Sequence, residues 1–68
     1  MQTEDIVRMA NQIADYFVAY PEEDAVKETA KHIQSFWEPR MRQMLAGHIA
    51  RGGAGLTPLV LKASAKLH

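Results

Sequence analysis

Three prolines and a cluster of glycines cut this chain into four short pieces, and each piece repeats its apolar residues at helical spacing. Pro21, Pro39 and Pro58 each suit the opening of a helix, and the residue before each avoids the α region. Gly52, Gly53 and Gly55 interrupt the chain between the third and fourth pieces, with Gly52 placed as a left-handed C-terminal cap. No stretch alternates with a period of two over a useful length, so no strand is expected. The punctuation therefore predicts an all-α fold, a small bundle of three longer helices plus a short C-terminal helix, within a single domain over residues 1–68. The helices are expected at about 4–19, 21–37, 39–50 and 58–67.

In the first helix Ile6, Met9, Ala10, Ile13, Phe17 and Tyr20 recur at amphipathic spacing. The second opens with Glu22, Glu23 and Asp24, acids that meet the positive end of the helix dipole, and carries Val26, Thr29, Ala30, Ile33, Phe36 and Trp37. The third turns Met41, Met44, Leu45, His48 and Ile49 inward. Thr57 caps the last, which at about ten residues cannot hold by itself in water and must dock on the others.

A chain of 68 residues buries too little surface to be more than marginally stable, and natural chains of this size add disulfides, a metal or a partner. There is no cysteine, which excludes disulfides, thiolate metal sites and iron–sulfur ligation here. A partner remains as the extra support. The hydrophobic fraction of 47% fits a globular domain, and no apolar run approaches the roughly 20 residues that span a bilayer. The N-terminus lacks the basic and apolar regions of a signal peptide, so a cytoplasmic protein is expected.

The zero net charge hides a division. Residues 1–38 hold all eight acids and only Arg8, Lys27 and Lys31, a balance of 3 − 8 = −5; residues 39–68 hold Arg40, Arg42, Arg51, Lys62 and Lys66 with no acid, +5. Either the two halves neutralise each other by packing, or one end carries a positive field that orients the molecule on an acidic surface. The apolar arc of the first helix, from Tyr16 and Met9 round to Val7 and Val18, is on the order of 200° wide, against the ~100° of an ordinary surface helix. Such a helix is either central to its own bundle or covered on a second side by a partner. The segment Phe36-Trp37-Glu38-Pro39-Arg40-Met41-Arg42 concentrates tryptophan and arginine, the residues that dominate protein–protein contacts. Phe36 and Trp37 lie roughly 100° apart on a helix, so one can serve the core and the other an interface.

Little in the sequence points to catalysis. His32, His48 and His68 lack the paired spacing of a zinc site, and His48, among Met41, Met44 and Leu45, reads as a hydrogen-bonded histidine. The acids at residues 22–24 form a solvated helix start, and no serine or threonine has a plausible base. The glycine run matches neither phosphate-binding motif and reads as a turn between helices. A nucleic-acid-binding or regulatory module is the alternative class, but five cations over thirty residues make a thin basic footprint.

The ordered set Ile6-Val7-Arg8-Met9-Ala10-Asn11-Gln12-Ile13, Tyr20-Pro21-Glu22-Glu23, His32-Ile33, Phe36 to Arg42, Gly52-Gly53-Ala54-Gly55-Leu56 and Pro58-Leu59-Val60 resembles the delta subunit of bacterial NAD-dependent formate dehydrogenase. The resemblance runs over about residues 6–67. It implies a small accessory subunit, without catalysis or cofactors of its own, in a cytoplasmic complex that oxidises formate and reduces NAD. The partner in contact would be the catalytic alpha subunit, which in this family holds the molybdenum or tungsten cofactor and iron–sulfur clusters. Beta and gamma subunits would carry FMN, further clusters and the NAD site, and neither nucleic acid nor membrane is implied. On that basis the expected partner-binding residues, chosen by residue type, are Val7, Val18, Trp37, Arg40, Met41, Arg42, Arg51, Gly53 and Leu56. Trp37 and Met41 would be apolar anchors, and the arginines would pair with carboxylates or carbonyls.

Overall fold

In the computed structural model, which describes residues 1–67, each sequence break becomes a change of chain direction. Helix α1 spans Thr3–Phe17. At its start the Gln2 backbone N–H donates to Asp5 Oδ2 at 2.9 Å, and Arg8 pairs with Asp5 Oδ1 at 3.0 Å. The Gln2 N–H first, with Arg8 adding to it, holds the Asp5 carboxyl below the usual carboxylate range against the opposing effect of desolvation. The helix ends at Phe17, two residues earlier than expected, where the Tyr20 N–H closes a turn onto the Phe17 carbonyl.

Helix α2 spans Glu22–Phe36, with Pro21 just outside it and the three acids in its first turn. Its end decides the placement of two aromatics. Trp37 is already extended (φ −85°, ψ 138°), and Glu38, constrained by Pro39, is extended too. This departure from helical geometry turns the indole inward while Phe36 stays on the outer surface of α2.

Helix α3 spans Pro39–Ala50 and closes in a Schellman motif: the Gly53 N–H bonds to the His48 carbonyl and the Gly52 N–H to the Ile49 carbonyl. Gly52 has φ +116°, which meets the expected left-handed cap. Helix α4 spans Pro58–Ser64, with Thr57 Oγ1 accepting from the Val60 N–H as the N-cap should. It stops three residues before the expected end. Ser64 Oγ donates to the Leu61 carbonyl at 2.7 Å, and tight turns at Lys66 and Leu67 replace further helix.

These four helices, with no strand among the described residues, pack around α1, which touches all three of the others. Ile6, Ala10 and Ala14 line its buried stripe, the two alanines allowing close helix approach. Ile33, Trp37, Leu45, Leu56 and Val60 complete the main core, and Val26, Ala30 and Ala63 form a smaller one where α2 meets α4. The two charge halves meet in a single ion pair among the described residues, Lys62 to Glu22 at 2.6 Å, exposed and so worth little.

Candidate functional site

Being central to the bundle does not use up the apolar arc of α1. Ile6, Ala10 and Ala14 face the core, Met9, Ile13 and Phe17 are half-buried, and Tyr16, Val18 and Tyr20 stay exposed. Tyr16, with 75% of its surface open, meets Phe17 edge-on at 4.9 Å, and Phe17 meets Tyr20 edge-on at 5.5 Å. Across from them on α2, Phe36 is 74% exposed and rests on the His32 ring one turn earlier, at 4.7 Å between ring centres. Between the two helices runs an open groove of about 550 Å³, lined by Met9, Gln12, Ile13, Tyr16, Phe17, His32, Phe36 and Trp37. Its walls are apolar and aromatic, and Gln12 and His32 supply the polar groups. Such a surface offers burial and stacking rather than bond-making chemistry.

The opposite flank of α1 is closed by its own chain. Asn11 Nδ2 donates to the Gly55 carbonyl at 2.9 Å, and Asn11 Oδ1 accepts from the Thr57 N–H at 3.1 Å. The His48 Nε2–H donates to the Ala54 carbonyl at 2.7 Å, so the 52–57 turn is pinned from both α1 and α3. The hydrogen-bonded histidine was expected; the asparagine was not. Asn11 stands on the polar side of α1 at the edge of the apolar arc, and nothing in its spacing points to the glycine-rich turn it meets.

A family model for the NADH-dependent formate dehydrogenase delta subunit (FdsD) matches residues 5–64. The chain belongs to this family. No curated protein and no solved structure matches it. The family match runs from the first turn of α1 to the end of α4, so it includes both walls of the groove, the arginines of α3 and the glycine turn.

Several residues expected at the delta subunit's interface turn out to serve its own fold. Trp37 is 5% exposed and sits in the core, because the chain leaves α2 before it; only part of the indole reaches the floor of the groove. Leu56 is buried in the same core. Gly53 is buried at φ +65°, where an added Cβ would lie 3.1 Å from Leu61 Cδ2, so its role is the turn itself. Val7 is half-buried beneath Gly55. Arg42 is drawn inward and donates to the Trp37 and Gln34 carbonyls, placing a cation on the C-terminal end of α2. Met41 is half-buried against the core. Val18, Arg40 and Arg51 remain at the surface. Tyr16, His32 and Phe36, which the residue-type argument left out of the site, are the ones the fold brings to the groove.

Among the described residues no three histidine, cysteine, aspartate or glutamate side chains gather as metal ligands, and no helix is long and apolar enough to cross a membrane. His68 lies outside the described residues.

Proposed function

We propose that this chain is a non-catalytic subunit that binds the catalytic alpha subunit of a cytoplasmic formate dehydrogenase and supports assembly or stability of that complex. Membership of the delta-subunit family supports the choice of complex. The observation that carries the binding role is the open groove with Tyr16 and Phe36 fully presented on its two walls. A chain this small gains little by leaving two large rings in water, and aromatic residues beside a preformed groove are the usual anchors of a protein contact. Val18 and Tyr20 extend the apolar surface at the same end of α1. In this reading the redox chemistry stays with the partners: the molybdenum cofactor and iron–sulfur clusters in the alpha subunit, and FMN, further clusters and NAD in the beta and gamma subunits. The chain has no thiol with which to hold a cluster.

The test is a formate dehydrogenase complex produced with and without this chain. Without it, the yield of assembled enzyme and its formate-dependent NAD reduction should fall, and supplying the parent chain should restore both. Phe36→Ala should restore less, with a loss in affinity for the alpha subunit of about 2 kcal/mol, roughly thirtyfold. Full recovery of yield and activity without the chain would remove the assembly role.

A further inference from the structure

The arginines of α3 that the fold leaves unused lie on one face. Arg40 stands in the first turn of α3 and Arg51 is the residue that caps its C-terminal end, where the helix dipole favours a cation. Both line one shallow groove with Thr3, Gln43, Met44 and Gly47, and the Arg51 guanidinium folds back over Gly47, with Nη1 3.4 Å from where a Cβ there would stand. The chain's other arginines are engaged: Arg8 with Asp5, and Arg42 on the end of α2. Among the described residues Arg40 and Arg51 have no ion pair and no side-chain hydrogen bond. Glu38 lies near Arg40 at the start of α3 without pairing with it, and residues 39–68 contain no acid.

Arg40 is also in an unfavourable place for the chain's own stability. It stands in the first turn of α3, a turn with no acid, where the positive end of the helix dipole repels a cation. An exposed cation held against the dipole, sharing a groove with a second unpaired guanidinium, is a feature the chain's own fold does not use. We propose that the Arg40–Gly47–Arg51 face is a second docking surface, and that it takes an acidic segment of the formate dehydrogenase complex whose carboxylates pair with the two guanidiniums. The proposal rests on the reading of this chain as a bound subunit, and makes it a two-sided one, apolar on the α1–α2 side and electrostatic on α3. Nucleic acid is the weaker fit, because residues 1–38 carry all the acids, Glu38 beside Arg40 among them, and repel a polyanion. A second copy of the chain is also disfavoured, since its acidic half on this basic face would make a head-to-tail contact rather than the two-fold contact most homo-oligomers use.

The test uses complex assembled without this chain and immobilised, with binding of the parent, Arg40→Glu, Arg51→Gln and Phe36→Ala chains followed in time at low and high salt. Arg40→Glu should slow association roughly tenfold at low ionic strength, and the difference should fade as salt screens it. Its thermal midpoint should equal or exceed that of the parent, because an acid suits that helix position. Arg51→Gln should slow association in the same salt-dependent manner by a smaller factor. Phe36→Ala should instead speed dissociation at both salt concentrations. If Arg40→Glu associates as fast as the parent while Phe36→Ala is impaired, the second surface is overturned and the groove stands. Parental behaviour of all three variants would overturn both. Salt-sensitive retention on duplex DNA that Arg40→Glu abolishes, or self-association of the parent that Arg40→Glu dissolves, would replace the acidic segment with another occupant and overturn the proposal.

Discussion

The two flanks of α1 make opposite use of the same helix. On one, Asn11 and His48 clamp the 52–57 turn, Val7 lies under Gly55, and the surface is finished with the chain's own atoms. On the other, Met9, Ile13 and Phe17 run out into an open groove whose rims are exposed rings. Both flanks carry apolar residues, Val7 beside the polar Asn11 on the closed one and Met9, Ile13 and Phe17 on the open one. What separates them is whether the chain has a segment left to cover each, and the turn before α4 can reach only one side.

The aromatic pair at the end of α2 tests this contrast most severely. Trp37→Ala should destabilise the free chain by about 3–5 kcal/mol, the cost of emptying a large core site. In a domain this small that is enough to leave it unfolded at ambient temperature, measured by loss of the cooperative circular-dichroism melt. Phe36→Ala should leave the melt within about 0.5 kcal/mol of the parent while weakening the partner complex by about 2 kcal/mol. A Phe36→Ala chain that melts early would place that ring in the fold and break the contrast.

On the closed flank, Asn11→Ala should cost about 1–2 kcal/mol, because it leaves the half-buried Thr57 N–H without its acceptor. Faster amide exchange in residues 52–57, with the groove side unchanged, would be the accompanying sign. Thr29, on the buried face of α2, has a hydroxyl with no hydrogen-bond partner. Thr29→Val should therefore stabilise the chain by up to about 1 kcal/mol in denaturant melts, and a loss would mean that the hydroxyl is satisfied in solution. The smallest effect belongs to the exposed start of α1. The folded-state pKa of Asp5 lies below its unfolded value, so its contribution is present above the ordinary carboxylate pKa of about 4 and is lost as pH falls through the folded value. Asp5→Asn should flatten that acid limb by slightly lowering the melting temperature at neutral pH, while leaving it unchanged below the folded pKa of Asp5.

The helices were legible because their limits are local chemistry. Pro39 and Pro58 at helix starts, the acids after Pro21, Thr57 as N-cap and Gly52 as C′ all act within one turn of chain. The early end of α4 was not legible, since Ser64 reads as an acceptable helix residue until its hydroxyl is seen bonded to the Leu61 carbonyl. For the proposed site, residue type favoured Trp37, whereas the fold exposes Phe36 beside it. Tryptophan is the commoner hot spot, but the extended backbone at Trp37 turned it inward and left Phe36 outside. Arg42 shows the same limit of residue type, because a guanidinium serves a helix end of its own chain as readily as a partner, and here it donates to carbonyls at the end of α2.

By itself, then, the sequence determined four helices, their order, the absence of any thiol chemistry, an apolar arc wider than one core needs and two halves of opposite charge. Those properties depend on residue identity and on spacings of a few positions. The tertiary structure decided which part of the arc is covered, which aromatic faces water and which arginines are left unpaired. Those depend on where segments distant in sequence come to rest, as when Asn11 meets residues more than forty positions away, and no local spacing encodes that meeting.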